Sequence, residues 1–141
     1  MNETSFRRWL KEQLDGVPLT FVEPSLGSTT GAPDVWVPVP GSLFAPVELK
    51  VVNFGRSGRI VPVNLRAVQI GWHERMHRAG ARSFMLLGHP GSTGWHAWML
   101  TPCTRERLMG WQRGFALDTL AHVATDGTLE HAAWQQVLRG S

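Results

Sequence analysis

The spacing of apolar positions changes along the chain, and each change predicts an element. From Glu3 to about Asp15, Phe6, Leu10 and Leu14 fall on one stripe of a helix. Arg7, Arg8, Lys11 and Glu12 lie largely around its other faces. Gly16 and Pro18 stop it. "PLTFVEP" then reads as a short strand and "SLGSTTG" as a flexible loop. "APDVWVPVP" and "LFAPVELKVV" read as two further strands around Pro40-Gly41-Ser42. "NFGRSGRIVP" is a basic, glycine-containing loop. Asn64 is placed to cap a second helix running to about Ala79, with Leu65, Val68, Trp72, Met76 and Ala79 on one face. Gly80 ends it. "RSFMLLGH" and "GWHAWMLTP" are two more strands, and the remainder from Thr104 reads as mainly helical, with a break near Thr125-Asp126-Gly127. Helix, three strands, helix, then strands predicts an α/β (α+β) core with a mixed sheet. Residues 1–141 read as one domain, with a core over about residues 3–100 and a C-terminal helical extension over about residues 104–139.

Composition narrows the class. A chain of 141 residues with 43% hydrophobic content is long enough for a sizeable core and has no low-complexity segment. No apolar run approaches a membrane span, and "MNETSFRRWLKEQL" lacks the layout of a signal peptide, so a soluble cytoplasmic protein with no membrane partner is expected. Cys103 is alone, which excludes an intramolecular disulfide and a Cys-based zinc site. A buried small hydrophobe is its ordinary role. Of the fourteen basic residues only Lys11 and Lys50 are lysines, which raises the sequence pI to about 10.0. Arginine suits phosphate because its planar fork donates bidentately, although a GC-rich genome enriches arginine too. Seven Trp and no Tyr offer flat surfaces for bases as well as material for a core.

The stretch from Gly31 to Lys50 contains only three charged residues, Asp34, Glu48 and Lys50. Antiparallel pairing about Gly41 sets Asp34 directly opposite Glu48, with Cβ atoms roughly 4.5–5.5 Å apart. Alternation brings Lys50 to the same face and Val35, Val37, Ala45, Val47, Leu49 and Val51 to the opposite, apolar one. Pro38, Pro40 and Pro46 warn of a bulge or an edge position, which would let the pairing slip by a residue. Two facing carboxylates repel, and a hard divalent cation is the natural remedy. Mg²⁺ there would acidify water and bridge to substrate phosphate, with Lys50 orienting that water or stabilising the phosphoryl oxygens. The ordinary alternative is a surface hairpin whose charges are solvated or paired with arginines.

Pro33-Asp34, a gap, then Glu48-Leu49-Lys50 resembles the PD-(D/E)XK nuclease signature. From Glu3 to about Gly88 the chain also follows the αβββαβ order of that restriction-endonuclease-like fold. The pattern "G-x-PD … ELK … Q-x-x-W" is similar to small phage-type and junction-resolving endonucleases and to the VRR-NUC group. The resemblance implies hydrolysis of DNA phosphodiesters dependent on Mg²⁺, with Mn²⁺ as a substitute. Asp34, Glu48 and the Leu49 carbonyl would bind metal, and Lys50 would serve the attacking water. Glu3 fits the extra acid such nucleases take from their first helix, or is simply an acid favouring a helix N-terminus. Glu23 is a second candidate for that role, and Glu12 suits a surface ion pair with Arg8. Gln69 resembles the family's helix glutamine, or is a boundary polar residue. Arg56, Arg59 and Arg66 are the expected phosphate contacts. A homodimer, its interface supplied by the C-terminal Trp-containing helices, would suit cutting both strands.

"HERMH", His73 to His77, matches H-E-x-x-H, in which two histidines ligate zinc and Glu74 is the general base of a metallopeptidase. Ser83 stands where the extended form of that motif wants a histidine, leaving His89, His96 or Glu106 as third ligand. The ordinary reading sets His73 and His77 on an exposed or DNA-facing side of the helix. A catalytically idle DNA-binding relative is the non-enzyme alternative.

Overall fold

A computed structural model describes residues 2–21, 31, 33–39, 44–53, 60–92, 94–116, 122–124, 127 and 134. Helix α1 spans Glu3–Gln13 and is capped by Asn2, whose side-chain oxygen accepts from the Ser5 N–H at 3.0 Å. Strands β1 (Thr20–Phe21), β2 (Val35–Pro38) and β3 (Phe44–Val51) follow, then the short β4 (Ile60–Val61) and helix α2 (Ala67–Arg78). Next come β5 (Phe84–Pro90), β6 (Trp95–Leu100), helix α3 (Arg105–Arg113), β7 (Phe115–Ala116) and β8 (His122–Ala124). The class is α+β. The main sheet has the order β1-β2-β3-β5-β6-β8, and β4 pairs with β7 apart from it. β3 and β5 are parallel and every other neighbouring pair is antiparallel, so the sheet is mixed. A parallel pair needs a crossover, and α2 lies in the one between β3 and β5.

Both faces of the sheet are covered. On one, Phe6, Trp9, Leu10 and Leu14 of α1 pack on Val47 and Leu49 of β3 and on Phe84 and Leu86 of β5. On the other, Met85, Leu87, Trp98 and Leu100 meet Ile70 of α2 and Leu108 and Trp111 of α3. This double burial is why β5 reads as a continuous apolar run. Each fully buried Leu or Phe contributes about 1.5–3 kcal/mol. Gly88 sets how closely α1 approaches: a Cβ there would lie 2.5 Å from Phe6 Cζ.

Expectation and structure part at several points. The second helix begins at Ala67 rather than after Asn64, because residues 63–65 run extended against α3. The Val63 N–H donates to Trp111 O at 3.0 Å, and Gln112 Nε2 donates to Leu65 O at 3.1 Å. Its buried face carries Gln69, Ile70 and His73, whereas Val68 and Ala79 are exposed and Trp72 and Met76 half-buried. Two polar residues with buried partners rotate the face away from the apolar stripe. Beyond Thr104 the described residues are mainly those of α3, as expected, but α3 ends at Arg113 and two short strands that were not expected follow. Trp111 and Trp134, expected to offer a dimer surface, are buried in the chain's own two cores.

Candidate active site

The β2–β3 pairing aligns Val35 with Val47 and Trp36 with Pro46, which is the register that sets Asp34 opposite Glu48. No slip or bulge accompanies the prolines of this pair. Leu49 turns its N–H toward β2, so by alternation Pro46 turns its nitrogen the other way, beyond the start of the β3–β5 ladder at Val47. A missing N–H costs nothing there.

The ladder ends at the site itself. Asp34 Oδ2 accepts the Leu49 N–H at 3.0 Å, so a side chain takes the next rung. Opposite Leu49 in this register stands Pro33, which has no N–H to give. Along a strand a residue's C=O leaves on the same edge as its N–H, so the Leu49 carbonyl gets no backbone donor from this neighbour. Gly31 brings the segment against α2: its φ is 75°, and a Cβ there would collide with the Val68 carbonyl.

Glu48 is 1% exposed. Its Oε1 accepts from Gln69 Nε2 at 2.7 Å and lies 3.7 Å from Lys50 Nζ, while its Oε2 is buried with no hydrogen-bond partner among the described residues. Gln69 Oε1 in turn accepts from Lys50 Nζ at 3.0 Å and from the Arg66 N–H at 2.9 Å. One buried amide therefore orients the acid and the ammonium together. Burial, then the charge of Asp34, pushes the Glu48 carboxyl up to about 8, with Lys50 opposing only part of the rise.

Helix α1 closes the other side. Glu3, Thr4 and Arg7 line a cleft of about 400 Å³ with Asp34, Glu48, Lys50, Arg66 and Gln69. Burial, then the charge of Asp34, holds the Glu3 carboxyl above the usual range, while Lys50 and Arg7 pull it down. Arg7 was expected on an outer face of α1. It is half-buried because its guanidinium carbon lies over Phe21, 5.3 Å from the ring centroid, and its Nη2 reaches Asp34 Oδ1 at 3.4 Å. Its position between Asp34 and the first helix is the feature that sequence reasoning missed. The only signal was Arg7 lying one turn beyond Glu3.

Glu23, Arg56 and Arg59 lie outside the described residues. The HERMH residues diverge. His73 is fully buried rather than exposed, with Nδ1 2.7 Å from Ser83 Oγ, because α2 turns this side to the sheet. Burial, then Lys50, lowers its pKa to about 4. Glu74 is held by Arg78 at 2.7 Å and Arg105 at 3.1 Å, and His77 is exposed. Cys103 is buried, and burial pushes its thiol up to about 12.

Among the described residues no group of three or more His, Cys, Asp and Glu side chains forms a ready cage for a metal ion. The donors at the hairpin suit a more open site. The Asp34 carboxylate, the unpartnered Glu48 Oε2 and the Leu49 carbonyl are all hard oxygens, which fits a cation that keeps several waters. No family model, curated protein or solved structure matches this chain.

Proposed function

We propose that this protein is a metal-dependent deoxyribonuclease that hydrolyses phosphodiester bonds in a PD-(D/E)XK-type site. The observation that carries the reading is the convergence in one cleft of Asp34, Glu48 and Lys50, tied together through Gln69, with Glu48 Oε2 buried and unpartnered. A buried carboxylate oxygen without a donor is costly unless a cation satisfies it. Held by Asp34, Glu48 and the Leu49 carbonyl, Mg²⁺ or Mn²⁺ would supply a concentrated positive charge that acidifies water and neutralises phosphoryl oxygens.

The chain's own residues supply the rest. Gln69 fixes the Lys50 ammonium beside Glu48, where it donates to the attacking water or to a phosphoryl oxygen. The exposed Arg66 stands at the rim, suited to backbone phosphates of DNA. The test is incubation with supercoiled, linear and branched DNA in Mg²⁺ or in EDTA. Cleavage that requires the metal supports the proposal. Binding without cleavage marks an idle DNA-binding module, and stoichiometric zinc in the purified protein supports the peptidase.

A further inference from the structure

We propose that Arg7 is the clamp for the substrate phosphate, its guanidinium taking the non-bridging oxygens of the phosphodiester to be cut. This inference rests on the nuclease reading and adds a substrate-contacting residue from α1 to it. Arg7 lines the same cleft as Asp34, Glu48 and Lys50, with its side chain 21% exposed. Of its five donors one is engaged among the described residues, at 3.4 Å to Asp34 Oδ1. Charge-assisted bonds between groups built for one another close to about 2.7–2.9 Å, often through both prongs of the fork. Arg7 Nε is buried with no acceptor among the described residues.

Such under-use of a half-buried guanidinium is unfavourable in the free protein, because a buried donor loses its water without gaining an acceptor. A phosphate in the cleft supplies the missing acceptors, in a planar arrangement that matches the fork. The Phe21 ring lies under the Arg7 guanidinium and restricts it, so little freedom is lost when the phosphate arrives. The neighbouring cations are less suited. Lys50 Nζ already donates to Gln69, and Arg66 is exposed at the rim. Asp34 holds Arg7 loosely, through one contact at 3.4 Å among the described residues. This weak pairing suits a partner that is given up on substrate binding.

The test uses the full chain with Arg7→Ala and Arg7→Lys. Binding of a labelled duplex in EDTA is followed across a salt series, alongside cleavage in Mg²⁺ and melting in EDTA. For Arg7→Ala the slope of log affinity against log salt should shrink by about 0.9, one phosphate contact, and cleavage should fall about 10²-fold or more. Arg7→Lys keeps the charge and loses the fork, so its cleavage should stay well below wild type while its melting temperature holds. Wild-type slope and cleavage in Arg7→Ala would overturn the inference. So would an Arg7→Lys protein with wild-type cleavage, which also decides the matter if Arg7→Ala does not fold. Wild-type protein that binds no DNA defeats the nuclease reading itself, whereas wild-type binding with an indifferent Arg7 defeats the clamp alone.

Discussion

Glu48 and Gln69 meet at 2.7 Å in the interior, one from the third strand and one from the second helix, and the same amide holds Lys50 through its other end. Replacing Gln69 with Leu keeps the volume and removes these two bonds and the one from the Arg66 N–H. The fold should lose about 1–3 kcal/mol in urea unfolding, the cost of leaving a buried polar group unmatched. Cleavage should fall further than stability, because Lys50 is released from its position. Unchanged unfolding would remove Gln69 from any structural or catalytic role.

Asp34→Asn separates a metal ligand from a structural ion pair. The amide oxygen still accepts the Leu49 N–H, while the repulsion toward Glu48 and Glu3 disappears. The partner lost is Arg7, at a loose 3.4 Å. In EDTA at pH 8.5, where the Glu48 carboxyl is ionised, the variant should melt no lower than wild type, and it should gain up to about 1 kcal/mol, the scale of a cross-strand charge pair. Cleavage in Mg²⁺ should drop by orders of magnitude. A clearly lowered melting temperature in EDTA, or full activity, would contradict the assignment.

The buried acid also sets a pH dependence. The Glu48 carboxyl titrates at about 8 in the fold against an ordinary 4.5, so between those values the folded state keeps a proton that the unfolded chain releases. Its stabilising contribution is full below 4.5 and is lost as pH rises through 8. His73 works oppositely: at about 4 against 6.5, its contribution is present above 6.5 and is lost as pH falls through 4. Above pH 6.5 the Glu48 slope is therefore left without that opposition. The metal-free protein should lose roughly 5–10 °C in Tm from pH 6.5 to 8.5, and Glu48→Gln should remove most of the loss. Stabilisation by Mg²⁺ should be larger at pH 8.5, where the carboxylate is ionised. Equal Mg²⁺ effects at both pH values would count against Glu48 as a ligand.

Gly31→Ala should damage the site from outside it. Its φ of 75° strains any L side chain, and the new Cβ meets the Val68 carbonyl. Gly80→Ala is the control, since Gly80 has a φ of 80° with nothing within 4 Å. Gly80→Ala should cost only backbone strain, about 1–3 kcal/mol. Gly31→Ala should cost at least as much and should also depress cleavage by displacing Asp34. Equal activity of the two variants would show that the Gly31 contact does not position the acid.

The hairpin was legible because alternation, a single turn and three charges admit one register that keeps the valines together, and Val35 does pair with Val47. The first helix was legible for the same reason, with Phe6, Leu10 and Leu14 all buried. The face of the second helix was not. Gln69 and His73 are polar by type but buried by virtue of Glu48, Lys50 and Ser83, partners that come from other elements. Arg7 was hidden likewise, since a long stem can carry a charge from the polar side of a helix into a cleft. Strand β8 is three residues long at the edge of the sheet, too short to leave a period in the sequence.

The proline opposite Leu49 implies that this site depends on a deliberate vacancy in strand pairing. Any other residue at position 33 would bring an amide hydrogen that the Leu49 carbonyl can accept, extending the ladder by one rung and making the sheet more regular. Pro33→Ala should then act as a built-in competitor: the fold holds or gains stability, every carboxylate stays in place, and Mg²⁺ affinity weakens because one oxygen has found another partner. Calorimetric titration of Mg²⁺ alongside thermal melting would register both changes. If the Leu49 carbonyl holds metal as proposed, regular secondary structure and chemistry compete at this position for the same lone pairs, and the imino acid leaves them to the metal.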